Sequence, residues 1–125
     1  MTGQPALTRE EANLAFVERW VELHNTDPLR MVRECYAPDA VIEVPGVESF
    51  GVERLRQLEL SGPPRSTRVL RTVAAGDVVA VEGTTATLSE EGQGPEVRWC
   101  VLLTIRDGVI VSDHAYLNTH QPTPA

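Results

Sequence analysis

A chain of 125 residues with 42% apolar and 23% charged residues makes one ordinary globular domain, large enough to bury a core without staples. Its formal charge of −7 excludes nucleic acid as a partner, because that binding rests on Lys and Arg neutralising phosphates. No apolar run approaches the ~20 residues that span a bilayer, so no membrane partner is expected.

Residues 1–7 read as a loose tail, and MTGQPALTREEA has neither the basic nor the apolar region of a secretory leader, so a cytoplasmic location is expected. Thr8 and Glu11 form a T-x-x-E capping box that starts a helix. Phe16, Val17, Trp20 and Val21 recur at helical spacing as its apolar stripe, and His24 continues that stripe. The helix stops near Asn25 and Thr26, since Asp27-Pro28 is an N-cap followed by a first-turn proline. A second helix then buries Leu29, Val32, Cys35 and Tyr36 until Pro38-Asp39 ends it.

AVIEVP, residues 40–45, alternates as a short strand with Ala40, Ile42 and Val44 on one face and Glu43 on the other. A third amphipathic helix over 51–60 repeats Val52, Leu55 and Leu58, and Gly62-Pro63-Pro64 closes it. Strands follow near 67–75, 77–88 and 95–106, joined by AAGD and the Gly-rich EEGQGP. In the third of them Val97, Trp99, Val101, Leu103 and Ile105 share one face, with Arg98, Cys100 and Thr104 opposite. RDG then turns the chain into GVIVSDHAYLN, a last strand that pairs back antiparallel, and THQPTPA (119–125) is a frayed proline-rich tail. Helices segregated from an antiparallel meander give an α+β domain, whose sheet curls around either side chains or a ligand.

On the last strand Val109, Val111, Asp113, Ala115 and Leu117 alternate against Ile110, Ser112, His114, Tyr116 and Asn118, so Asp113 stands alone on an apolar face. A carboxylate in an apolar wall costs several kcal/mol unless it is paired or protonated. Asp113 therefore either serves chemistry through a shifted pKa or accepts a hydrogen bond from Trp99 or a backbone amide. His24 leaves a similar choice between a general base and a helix-end side chain bonding free carbonyls. Cys35 and Cys100 are too few for a metal-ligand pattern and read as small buried hydrophobes. With no Walker loop, dinucleotide fingerprint or HExxH motif, neither metal nor cofactor is expected.

The segments ELHNTDPLRMVRECYAPDAVIEVPG and RDGVIVSDHAYLN resemble the nuclear transport factor 2-like superfamily, and above all its SnoaL-like polyketide cyclases. Ketosteroid isomerase and limonene epoxide hydrolase are relatives, and the similarity runs from Thr8 to Asn118. The resemblance implies a single domain over 1–125. Its fold would be a cone-shaped, cystatin-like curved antiparallel sheet with three N-terminal helices enclosing an apolar pocket, commonly in a homodimer. The isomerase base falls on Val44, and its two oxyanion donors fall on Trp20 and Val101. The Asp-Arg-Asp set of the epoxide hydrolases falls on Gly83, Thr85 and Ala115, so neither machinery is present. On this template Trp20, His24, Asp113, Ala115 and Leu117 face the cavity, with Thr85 and Thr87 as lesser polar candidates.

The expectation is a cofactor-independent acid–base enzyme acting on a small apolar carbonyl compound, polyketide- or steroid-like, by cyclisation, isomerisation or dehydration. Asp113 and His24 would form a dyad of base and partner. Trp20, Trp99, Val44, Thr85, Ala115 and Leu117 would shape the pocket. The alternatives are a pocket protein without chemistry, an interaction module with a filled core, and a limonene-type epoxide hydrolase with a departed site. Glu43, Arg98, His114 and Tyr116 should face outward, on a sheet surface where two copies would pair.

Overall fold

The capping box begins the first helix in the computed structural model, which describes residues 7–117. Thr8 Oγ1 accepts from the Glu11 amide and Glu11 Oε1 from the Thr8 amide, both at 3.1 Å, which starts α1 (Arg9–Thr26). The Asp27 amide then donates to the Leu23 carbonyl at 2.8 Å, while its carboxylate accepts from the Arg30 amide at 3.2 Å and so opens α2 (Pro28–Cys35). The buried stripe of α1 is Asn13, Val17, Trp20 and Leu23, flanked by half-buried Phe16 and Val21. Asn13 is tolerated there because its Nδ2 donates to the Gly76 carbonyl. Of the expected tails, 1–6 and 119–125 lie outside the described residues, as does Asn118.

Tyr36 corrects the second helix. The expected helix included it, whereas α2 ends at Cys35 and Tyr36 opens β1 (Tyr36–Glu43). Pro38 supplies the reason: the residue before a proline is driven toward extended backbone, so the helix cannot run on through Ala37. As an edge strand, β1 tolerates the proline's missing donor. It also ends at Glu43, short of Val44, and the chain turns through Gly46 at φ 79°, a conformation that suits glycine. The third helix, α3 (Val52–Ser61), matches its expected span closely.

The remaining strands are β2 (Arg65–Ala75), β3 (Val78–Ser89), β4 (Gly92–Arg106) and β5 (Val109–Leu117). The Gly-rich stretch is part of a hairpin rather than a loop, since Leu88 pairs with Gln93 and Ser89 with Gly92. The sheet order is β1-β5-β4-β3-β2, antiparallel except where β1 runs parallel to β5. This is the expected α+β class, three helices on a curved five-stranded sheet. Met31, Val79, Val81, Leu103 and Ile110 are sealed between the two layers.

A bulge changes the facing of β5. Thr104 pairs with Ser112 but Ile105 pairs with Ile110, which leaves Val111 as the extra residue. Ile110 rather than Val111 therefore joins the core, with no exposure, and Val109 and Val111 are half-buried at its side. Beyond the bulge, simple alternation holds, and Asp113 turns inward with Ala115 and Leu117 behind it. The expected face was right for its second half and shifted by one residue in its first.

Candidate active site

A cavity of about 340 Å³ opens between α1 and the inner faces of β2 to β5. That volume is at the small end of the ~300–1,000 Å³ usual for ligand sites. Its walls are largely apolar, with Trp20, Leu55, Val97, Trp99, Ala115 and Leu117 among them. Polar groups enter in three places, each fixed by a different pair of elements.

The deepest is built by β5, β1 and α1. Tyr36 Oη donates to Asp113 Oδ2 at 2.6 Å, and Trp20 Nε1 donates to Tyr36 Oη at 3.3 Å. Parallel pairing of β1 with β5 brings the phenol to the carboxyl, and both residues are buried. Burial pushes the Asp113 pKa up, while the Tyr36 hydrogen bond and the nearby His114 pull it back in part. Burial and the adjacent Asp113 hold Tyr36 well above the ordinary phenol value, so it remains a donor. Asp113 lines the cavity, and its Oδ1 has no partner among the described residues.

At the other end, His24 in the last turn of α1 meets the start of β2. Arg65 Nη2 lies 3.1 Å from His24 Nδ1 and donates to Glu59 Oε2 at 2.5 Å. Burial, then the Arg65 charge, brings the His24 pKa down to about 3, so the imidazole is neutral. Its ring meets Trp20 edge-to-face at 4.6 Å. Between the two ends, Trp99 Nε1 donates to Thr85 Oγ1 at 2.8 Å, and the Thr85 and Thr67 hydroxyls lie 2.9 Å apart.

The structure does not form the expected dyad. Asp113 is bonded to Tyr36 and His24 to Arg65, because β1 and β2 deliver those partners first; the two are neither hydrogen-bonded nor ion-paired to each other. Nor does Asp113 accept from Trp99, whose donor goes to Thr85. Val44 is also corrected: with β1 ended at Glu43, it packs half-buried against the core and lies outside the cavity lining. Trp20, Trp99, Thr85, Ala115 and Leu117 do line the cavity, as do Thr87 and Val101. Outward-facing Glu43 and His114 lie 3.7 Å apart, with His114 stacked on Tyr116.

Tyr36 and Arg65 are the site residues that sequence reasoning missed. Pro38 could have moved Tyr36 into a strand, and period-2 alternation in RSTRV places Arg65 on the inner face with Thr67. Among the described residues no group of three His, Cys, Asp or Glu side chains is placed to hold a metal ion, and no helix is long and apolar enough to cross a membrane.

An α+β domain with a small apolar cavity whose described lining residues include one carboxyl, Asp113, defines a recognisable class. The SnoaL-like domain model matches residues 17–113, and the chain belongs to that family. A protein from Kribbella flavida provisionally described as a ketosteroid isomerase superposes with a TM-score of 0.76 at 21% identity, over 96% of this chain and 88% of that one. A Jannaschia protein provisionally described as a SnoaL-like polyketide cyclase gives 0.74 at 20% identity, over 93% and 92%. An LEH-like epoxide hydrolase from M. tuberculosis gives 0.74 at 20%, over 89% and 86%. At these identities the likeness is one of fold. No curated protein matches the chain.

Proposed function

We propose that this protein is a cofactor-independent acid–base catalyst for a small, largely apolar carbonyl compound, with Asp113 as the proton-transferring group. One observation carries the reading: a carboxyl lining an apolar cavity has one oxygen held by Tyr36 and the other without a partner among the described residues. Burial raises its pKa toward working pH, which is what a general base removing a proton next to a carbonyl needs. The enolate so formed can close a ring, return the proton elsewhere, or expel water. Cyclisation is the member of that set that the Jannaschia neighbour's description names.

The test needs no knowledge of the natural product. In heavy water the protein should exchange the α-protons of a small cyclic ketone such as indanone faster than buffer does. Asp113→Asn, which keeps shape and removes the base, should slow that exchange by about 10²-fold or more. Exchange unaffected by the substitution sinks the reading. A pocket protein without chemistry is the second reading, favoured by the full satisfaction of buried polar side chains among the described residues. On that reading Asp113→Asn leaves ketone affinity unchanged and no exchange is seen in either protein.

For the assembly we propose a homodimer through the outer sheet face, where Val73, Val78, Leu102 and Tyr116 are all exposed. Apolar side chains gathered on an exposed face mark an interaction surface. Sedimentation at micromolar concentration should show a dimer, and a monomer refutes it.

A further inference from the structure

Arg65 holds one ring nitrogen of His24, which fixes what the other nitrogen can offer. A guanidinium carries five N–H donors and no acceptor, and it does not lose its proton in proteins. Arg65 Nη2 at 3.1 Å from Nδ1 therefore makes Nδ1 the lone-pair nitrogen. The ring proton then sits on Nε2, which has no partner among the described residues. His24 lines the cavity.

We propose that His24 is a permanently neutral hydrogen-bond donor, presenting its Nε2–H to an uncharged carbonyl oxygen of the ligand while Nδ1 is held by Arg65. The electrostatics of the same end favour an uncharged ligand oxygen. Arg65 is already paired with Glu59, whose side chain is only 7% exposed, and a carboxylate there would have to compete with it. A neutral imidazole can polarise a carbonyl as a donor and stabilise the enolate oxygen without itself moving a proton. Asp113 would then act at the α-carbon and His24 at the oxygen of one substrate. That division rests on the acid–base reading above, whereas the tautomer does not.

The depressed His24 pKa agrees with this assignment. The titratable and charged groups that share its cavity are Arg65 of β2, with Glu59 of α3 behind it, Tyr36 of β1 and Asp113 of β5. Arg65 is the one among them whose charge acts on His24, and it opposes protonation.

Long-range nitrogen NMR of the imidazoles tests the proposal, with the His24 signals assigned by their loss in His24→Gln. A single tautomer protonated on Nε2, unchanged from pH ~5 to ~8, is expected. Titration in that range, or a proton on Nδ1, overturns it. Indanone, an acceptor-only ketone, should shift the His24 Nε2–H resonance, and indane carboxylate should not. A shift caused by the carboxylate, or none by the ketone, overturns the ligand half. His24→Leu should weaken indanone binding by about 10-fold, and His24→Gln, which restores a donor, should recover most of it. Equal loss in both variants would assign His24 a packing role only. None of these readouts depends on turnover, so loss of the Asp113 chemistry and loss of this donor are separable.

Discussion

Tyr36→Phe removes one oxygen and breaks two hydrogen bonds, so its cost can be worked from the site. Asp113 Oδ2 loses a donor at 2.6 Å, and Trp20 Nε1 loses its acceptor at 3.3 Å. A hydrogen bond to a charged group is worth ~1.5–3 kcal/mol, and an orphaned buried donor costs ~1–3 kcal/mol, with the long Trp20 contact at the low end. The sum is roughly 3 kcal/mol when Asp113 is ionised. It should be smaller when Asp113 is protonated, because an acid group is far less costly to leave without that donor. The sign follows from linkage. Asp113 has a folded pKa above its ordinary 3.8, so its contribution to stability is present below that value and lost as pH rises through the folded pKa. The Tyr36 bond lowers that pKa, so removing it raises the pKa further and deepens the loss near neutrality. Urea denaturation of both proteins near pH 3.8 and near pH 7 measures this directly. Proton uptake by His24 on unfolding is the same in both proteins and cancels in the difference. The substitution should cost more at the higher pH, and the acid limb of ketone exchange should move to higher pH. An equal cost at both pH values would refute the coupling of Tyr36 to an ionising Asp113.

Gly83→Ala should destabilise by about 1–3 kcal/mol and alter tryptophan fluorescence, because its Cβ would stand 2.4 Å from Trp99 Cζ2 and 2.8 Å from the Arg68 carbonyl; a neutral substitution would show that the indole does not lie there. The melting temperature should fall as pH drops below 6.5 toward 3, because a His24 held at about 3 when folded takes up its proton only on unfolding, and His24→Gln should flatten that slope. Limonene-type epoxides should not be hydrolysed at an enzymatic rate, since Gly83, Thr85 and Ala115 supply neither a water-activating carboxylate nor a cation to orient it; robust turnover would overturn that assignment of positions.

The features legible in the sequence were those that local chemistry dictates. Thr8 and Glu11 cap α1, Asp27-Pro28 separates two helices, and alternation turns Val97, Trp99 and Val101 toward one face. Each depends on a few adjacent residues, and the resemblance of two segments then supplied the arrangement of the whole. What the sequence did not yield depends on register between distant strands. The bulge at Val111 is a property of the β4–β5 ladder, so single-strand alternation gave Asp113 the right face and Val111 the wrong one. The partner of Asp113 followed from parallel pairing of β1 with β5, which no local pattern announces. His24 was found on the correct stripe, yet Arg65, which sets its chemistry, lies 41 residues away in the chain.

The same registers set the surroundings of Gly83, Thr85 and Ala115, the three positions that the epoxide-hydrolase resemblance picks out. Gly83 pairs with Trp99 across the β3–β4 ladder, and the Trp99 indole occupies the space a side chain at Gly83 would need. A carboxylate there and the indole in its present place exclude each other on steric grounds. Trp99 in turn is pinned by Thr85, the second of those positions, through a 2.8 Å hydrogen bond. The third position is Ala115, which shares the inner face of β5 with Asp113 two residues earlier. Two residues along a strand are about 6.6 Å, so the Asp113 backbone lies about that far along β5 from Ala115. There its carboxyl meets Tyr36. The proposed proton abstraction from carbon would use such a buried acid, held by a phenol and with its pKa raised by burial. Gly83, Thr85 and Trp99 form one packing unit of the cavity wall, with the Trp99 indole at its centre.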